Sequence, residues 1–507
     1  MHGSDGSLAS TWGFGLGLLV LLVSLNYLLW APLAWGRWTK PMLTLGLVTA
    51  AASSHFIQSL GIYLDPGMLR NVLQTDLHES RELMSWPFAV QLLLFAALPA
   101  ALIWLTPLRQ RSLPRALSMR LLSMALAAVV AVGALWAVFQ PLSSLMRNHK
   151  DLRYKVTPAN VMWSSGAVLA ADLRGAAKPR QAIGLDAKPG PLTTARKKPL
   201  LVVMVVGETA RKANWGLSGY SRQTTPLLAQ LPVINFSQAE ACGTATEVSL
   251  PCMFAPVGRR DYDEGRIRGS ESLLHVVARA GVQVRWRDNQ SGCKGICDGL
   301  PYEEVQSLNP PGLCQGGHCM DEALLSGLEA QMASMQGTSL LVLHPIGNHG
   351  PAYYRRFPPA FARFTPYCQQ DDLQRCSTEE IVNAYDNALL YTDHFLATLI
   401  GKLQSMSGSV DSVLVYMSDH GESLGESGLF LHGMPFAIAP AVQREVPMLM
   451  WLSAAAPQAV GLDLACLRHK ASAPVKHDHL FHTLLGLLDV QTALHEAAWD
   501  LGAGCKP

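Results

Sequence analysis

The stretch Ala241–Phe254 reads A-C-G-T-A-T-E-V-S-L-P-C-M-F, with two cysteines ten positions apart around small and hydroxylated residues. Such a run packs a core poorly, but it suits the display of a hydroxyl at the mouth of a helix. Thr246 is the candidate nucleophile. A threonine hydroxyl reacts slowly at neutral pH unless a base or a metal activates it. Candidate ligands lie on both sides of it in sequence, in G-E-T at Gly207–Thr209 and in S-D-H-G-E at Ser418–Glu422. Glu208, Asp419 and His420 supply carboxylates and an imidazole, a donor set that zinc prefers. Thr246 would complete a four-coordinate site, and coordination would lower the pKa of its hydroxyl as it does for bound water. The competing reading makes Glu208 and Asp419 caps of helices that follow their strands.

Other residues could serve the same chemistry. His349 in N-H-G-P and His432 in L-H-G-M-P each precede a glycine in loop-like sequence. Both suit a second metal, a phosphoryl contact or protonation of a leaving alkoxide, although an isolated loop histidine more often does nothing. Lys294 stands between cysteines in C-K-G-I-C. A disulfide there would hold its ammonium for a phosphate contact; otherwise it is a surface lysine. His477, His479 and His482 imitate a metal cluster. They open the amphipathic run Leu480–Leu488, however, so helix capping and packing are the expectation. Asp386 and Asp393 are read as structural polar contacts.

These residues need a frame that brings them together. Leu200–Val206, Leu340–Leu343, Val413–Met417 and Val446–Leu452 are near-continuous apolar runs of strand length, separated by helix-like segments such as Glu379–Leu403. That alternation predicts an α/β domain whose mainly parallel sheet is covered on both faces. Ligands in such folds bind beyond the carboxyl ends of the strands. Glu208, then His344 and His349, then Asp419 and His420 follow three of these runs directly. The coincidence puts the site at one sheet edge.

The first part of the chain is of a different kind. Thr11–Trp30, Pro41–Leu64, Trp86–Leu105 and Met119–Phe139 are apolar spans with short connections, each near the length a bilayer core requires. Arg37 and Lys40 mark the first connection and Arg109, Arg111 and Arg115 the third, while Asp65–Ser85 is net acidic. By the positive-inside rule the first and third connections face the cytoplasm; the second connection, the N-terminus and everything after Phe139 lie outside. The first span lacks the basic n-region of a cleavable signal peptide. Ser143–Trp163 is expected to follow the membrane surface, and Gly175–Lys198 reads as a linker. The resulting organisation is 1–140 transmembrane with four helices, 141–198 surface segment and linker, and 199–507 catalytic domain.

Cysteine placement agrees with this topology. Cys242, Cys252, Cys293, Cys297, Cys314, Cys319, Cys368, Cys376, Cys466 and Cys505 all fall in the second half, and eight of the ten form close sequential pairs. Five disulfides in an oxidising compartment explain them better than a zinc ribbon on Cys293, Cys297, Cys314 and Cys319. The net charge of +2 and the lack of a basic run interleaved with aromatics give no basis for a nucleic-acid partner.

V-V-G-E-T-A-R, C-G-T-A-T-E-V-S-L-P-C-M-F, C-K-G-I-C, N-H-G-P-A-Y-Y, S-D-H-G-E and L-F-H-T-L-L-G-L-L-D together resemble the lipid A phosphoethanolamine transferases, inner-membrane enzymes of Gram-negative bacteria that include the mobile colistin-resistance proteins. N-V-L-Q-T-D at Asn71–Asp76 and R-N-H-K-D-L-R-Y at Arg147–Tyr154 are similar to motifs of the family's membrane half. The resemblance implies an alkaline-phosphatase/sulfatase-like catalytic domain in the periplasm. Its zinc ligands and nucleophile would be Glu208, Thr246, Asp419 and His420. His349, His432 and Lys294 would handle phosphoethanolamine or a second zinc, Asn71 and Glu79 would face the lipid, and the close cysteine pairs would be the family's disulfides. It implies phosphatidylethanolamine as donor and lipid A as acceptor for a monomer, with polymyxin resistance as the outcome. The family usually has five spans, whereas the charge reading here leads to the expectation of four with an external N-terminus. Decoration of a core sugar or a protein is the nearest rival. A sulfatase would carry C-x-P-x-R at the nucleophile, and a non-catalytic sensor would have lost part of the ligand set.

Overall fold

The computed structural model describes residues 8–74, 77–108, 111–148, 154–175, 180–315 and 318–505. The chain divides into two compact units, one of 1–69 with 84–167 and the other of 70–83 with 168–507. The short acidic segment between the second and third expected spans thus belongs to the same unit as the catalytic domain.

Among the described residues, Trp12–Trp30, Trp86–Leu105 and Leu113–Ser143 are helices long and apolar enough to cross a membrane. The other expected span forms the helix Thr39–Leu60, long enough but diluted by Ser53, Ser54, His55 and Gln58. Leu105 and Trp136 leave at least four-fifths of their surface uncovered, as lipid-facing side chains do. Polar groups tie the helices near one end. Arg120 donates to the Ala34 carbonyl (2.6 Å) and lies over the Trp35 ring, and Lys40 donates to the Trp104 carbonyl (2.8 Å). Of the basic residues expected in the third connection, Arg109 lies outside the described residues.

In the larger unit an eight-stranded sheet consists of β1 (Leu200–Gly207), β2 (Ile234–Glu240), β3 (Gln283–Asp288), β4 (Tyr302–Glu304), β5 (Thr338–His344), β6 (Asp411–Ser418), β7 (Glu445–Leu452) and β8 (Val475–Lys476), in the order β8-β2-β7-β6-β1-β5-β3-β4. Strands β4, β3, β5, β1 and β6 run parallel. β7 runs antiparallel to both its neighbours, β6 and β2. The run Val446–Leu452 therefore ends away from the site. β1, β5 and β6 are buried along their whole length, which is why they read as unbroken apolar runs. Val202, Met204, Phe236, Trp286, Leu340 and Val415 join helix residues such as Leu274 and Leu484 in the core.

The helix expected over Glu379–Leu403 runs from Thr378 to Ser405, opened by a capping box in which Ser377 and Glu380 each accept the other's backbone N–H. Its Asp386 takes bonds from Asn214 (2.6 Å) and Tyr220 (2.9 Å), and its Asp393 takes the N–H groups of Leu227 and Leu228. The expected linker is structured in part. Lys188–Pro189 pairs with Gln491 and Val490, and Pro191–Ala195 is a short helix. Pro189 and Pro191 still explain its linker-like composition, because a short edge strand and a helix start both tolerate proline.

Candidate active site and metal centre

Register sets the site. Gly207 at the end of β1 pairs with Ser418 at the end of β6, so Glu208 and Asp419 leave the sheet side by side. No helix begins directly after either residue, so the capping reading fails. Asp419 Oδ1 accepts the backbone N–H groups of Thr209 (3.1 Å) and His420 (2.7 Å). Asp419 Oδ2 is buried without a hydrogen-bond partner. His420 Nδ1 lies 2.9 Å from the Gly421 carbonyl; donating there, a neutral ring presents Nε2 as an acceptor. That nitrogen lies 3.4 Å from Asp419 Oδ2 and 3.5 Å from Glu208 Oε1.

Thr246 begins the helix Thr246–Met253, whose first residue the Cys242–Cys252 disulfide brackets. Its hydroxyl is 3.1 Å and 3.2 Å from the two Glu208 oxygens and 3.3 Å from His420 Nε2. Burial and the charge of Glu208 push the Asp419 carboxyl up to about 6. Burial alone would raise Glu208 too, but His344, His420 and His349 outweigh it and hold that carboxyl far below its ordinary value. Lone pairs thus converge on one buried point beside the Thr246 hydroxyl, while Thr209 Oγ1 donates to Glu208 Oε1 at 2.7 Å. A cation satisfies that arrangement. Glu208, Asp419 and His420 each offer a ligand atom within 4.8 Å of the others, and His420, Glu422 and His432 form a second such group.

Glu422 was quoted in the sequence motif but given no role. It accepts from Tyr353 (2.5 Å), and its other oxygen lies 2.8 Å from His432 Nδ1. Burial works against a proton on His432, yet Glu422 and the nearby Glu208 and Asp419 raise its pKa to about 9. The His432 ring lies tilted against that of His420, 4.3 Å between centroids, and edge-on to that of His349 at 5.4 Å. Both loop histidines therefore flank the cluster. Burial lowers the His349 pKa to about 3.

The remaining candidates make contacts of their own. Lys294, at positive φ inside the Cys293–Cys297 loop, donates to Ser291 Oγ (2.7 Å) and to its carbonyl (3.3 Å). Asn71 lies on the helix Pro66–Gln74. Glu79 falls in the helix Leu77–Glu82, but its side chain lies outside the described residues. The zinc-ribbon alternative is overturned, because Cys293–Cys297 and Cys314–Cys319 are disulfides, as are Cys368–Cys376 and Cys466–Cys505.

Two supports escaped sequence reasoning. His344, the last residue of β5, bridges Asp288 (2.8 Å) and Glu208 (3.7 Å) from a fully buried position. His477 caps no helix with its side chain. Its ring accepts from the Cys242 N–H (3.0 Å) and meets the Ser418 carbonyl (2.9 Å), joining the loop that leads to Thr246 to the strand that delivers Asp419. His477→Phe keeps the volume and strands both backbone groups. Thermal unfolding should then fall by roughly 5 °C, from about 2 kcal/mol of lost hydrogen bonding.

Close backbone approach supplies a second check. Gly347 sits at φ +53°, and a Cβ there would meet the Glu208 carbonyl at 2.7 Å. Asp321 fixes the same turn by accepting the N–H groups of Ile346 (2.8 Å) and Gly347 (3.0 Å). Gly347→Ala should push Glu208 out of place and lower turnover by about tenfold or more, measured beside bound metal per chain.

A buried carboxylate–imidazole cluster around a threonine, at the carboxyl edge of a mainly parallel sheet, is the arrangement of an alkaline-phosphatase/sulfatase-like domain. The sulfatase profile matches residues 201–490, and a profile described as phosphoethanolamine transferase EptA/EptB matches residues 22–173. The chain is 40% identical to phosphoethanolamine transferase EptA of Escherichia coli K12 over 493 residues, covering 96% of this chain and 88% of the relative. It is 37% identical to phosphatidylethanolamine transferase Mcr-1 of Escherichia coli over 498 residues, covering 95% and 90%. The solved structure of the integral membrane protein lipooligosaccharide phosphoethanolamine transferase A from Neisseria meningitidis superposes with a TM-score of 0.94 at 37% identity, over 100% of this chain and 94% of that one. The chain belongs to the membrane-bound phosphoethanolamine transferase family.

Proposed function

We propose that this protein transfers phosphoethanolamine from phosphatidylethanolamine to a phosphate of lipid A, with Thr246 as nucleophile. The observation that carries the reading is the Thr246 hydroxyl, within 3.3 Å of both Glu208 and His420 in a buried, acceptor-rich cluster. Glu208, Asp419 and His420 would hold zinc, with Glu422 and His432 available to a second ion. Zinc bound there supplies Lewis-acid stabilisation of phosphoryl charge and lowers the pKa of the adjacent hydroxyl.

The chain's own residues do the rest. Thr246 Oγ gives up its hydroxyl proton to solvent and attacks the phosphorus; its bond to phosphorus forms as the bond to the diacylglycerol oxygen breaks. Diacylglycerol leaves as the alcohol after taking a proton, a role we assign to His432, with the neutral His349 ring beside it. A lipid A phosphate oxygen then attacks the phosphothreonine and displaces Thr246, which recovers its proton. Asn71 and Glu79 are assigned to the lipid side of the site, and Lys294 to the phosphoryl oxygens. The protein acts as a monomer in the inner membrane of a Gram-negative cell, with its catalytic unit in the periplasm, as the charge of the connections favours.

The product carries a zwitterion where an anion stood, so cationic peptides such as polymyxin and colistin bind it less well. Mass spectrometry of lipid A from a polymyxin-sensitive host expressing the protein is the test. A phosphoethanolamine adduct on lipid A phosphate supports the reading. Its absence with the protein present in the membrane refutes lipid A as acceptor, and an adduct on core sugar or protein would identify the rival.

A further inference from the structure

The segment Arg70–Leu83 lies in sequence between two hydrophobic helices, yet it belongs to the catalytic unit. Each of its ends is held there by a charge. Near one end, Glu82 is 3% exposed and accepts from Arg356 Nη2 at 2.6 Å; Arg356, itself 4% exposed, also donates through Nε to the His349 carbonyl at 2.7 Å. At the other end, Arg70 is 8% exposed and its Nε lies 3.1 Å from Glu264 Oε1. The same Glu264 oxygen accepts from Arg268 Nε at 3.1 Å. Arg268 continues inward and donates to both the carboxylate and the carbonyl of Glu247, each at 2.5 Å. Glu247 is fully buried and follows Thr246 directly.

The two pins are not redundant. One reaches the loop of His349 and the other reaches the residue beside the nucleophile. The Arg356–Glu82 pair is buried, so breaking it leaves an uncompensated charge; Glu264 is partly exposed, so its pairs with Arg70 and Arg268 hold more weakly. Arginine suits both places because its planar fork serves two acceptors at once, which a lysine ammonium on a flexible stem does with less fixed geometry.

We propose that Arg356 and Arg268 are positioning residues for the transfer reaction: acting through Glu82 and Glu264, they hold both ends of Arg70–Leu83 in register with His349 and Thr246. This rests on the reading in which the segment, through Asn71, meets the lipid donor. The pins then set the distance between the donor's headgroup and the nucleophile, a quantity to which rate is steeply sensitive.

The test uses the full-length protein with Glu82→Gln, with Arg356→Lys, and with Glu264→Gln, whose partly exposed site makes it the variant safest for folding. Three quantities are read: transfer from phosphatidylethanolamine to lipid A in mixed micelles, bound zinc per chain, and amide exchange across 70–83. Glu82→Gln should raise the apparent KM for phosphatidylethanolamine by about tenfold, speed exchange across the segment and leave zinc unchanged. Arg356→Lys, which keeps the charge without the fork, should show a smaller loss of the same kind, and Glu264→Gln should give the same pattern at about threefold. Faster exchange with wild-type kinetics, unchanged exchange in the variants, or activity lost together with zinc would each overturn the proposal. If the wild-type protein transfers nothing, the functional reading fails, and amide exchange still decides whether the pins hold the segment.

Discussion

Thr246→Ala should abolish the lipid A adduct, with transfer reduced by roughly ten-thousandfold or more. The expectation follows from what the residue touches. Among the described residues its hydroxyl is the one hydrogen-bonded to both Glu208 and His420 that can form a bond to phosphorus, and removing it leaves the helix Thr246–Met253 and the Cys242–Cys252 disulfide in place. Fold and zinc content should therefore stay near wild type, since the ligand carboxylates remain. Thr246→Ser retains the hydroxyl and should keep activity within about tenfold, the loss coming from the extra rotamer freedom of an unbranched side chain. Trapping a phosphoethanolamine group on the Thr246 peptide by mass spectrometry would confirm the covalent step. Comparable transfer by the alanine variant would remove Thr246 from the mechanism.

The second large effect is expected at Asp419. One of its oxygens is fixed by the N–H groups of Thr209 and His420, and the other is buried without a partner. Asp419→Asn keeps the shape but can place an amide where that oxygen stood, turning an acceptor into a donor aimed at Glu208 and His420. Zinc affinity should fall by about a hundredfold or more and transfer should fall with it. In the intact protein, a chelator should abolish transfer and added zinc should restore it. Metal titration by calorimetry on both proteins checks this. Undiminished zinc binding by Asp419→Asn would show that the ion is held elsewhere.

The parallel part of the fold was legible because β1, β5 and β6 are buried on both faces and could be nothing but apolar. The change to Glu208, His344 or Asp419 at the end of each run then marked the carboxyl edge. The direction of β7 was not legible, since a buried strand has the same composition either way along. His344 and His477 were missed as supports for a related reason: their meaning lies in partners at Asp288, Cys242 and Ser418, distant in sequence and brought near only by the sheet. Glu422 stood in plain view within its motif, but pairing it with His432 required the short turn between them. Arg70–Leu83 was the hardest to place. Its position between two apolar helices gives no hint that its buried charges find partners hundreds of residues later.

The disulfides carry a consequence for where the protein can be active. All five lie in the catalytic unit, and two of them close short loops around Thr246 and Lys294. Short covalent loops of this kind restrict the unfolded chain and stabilise the folded one by about 2–3 kcal/mol each. Oxidation thus works as a licence issued only after export. A copy left on the reducing side of the membrane would carry free thiols and a loosely held nucleophile beside the cell's own phospholipids. Alkylation should count ten free thiols in such a copy, and little or no transfer should accompany them. The same chemistry that shapes the site confines it to one face of the bilayer.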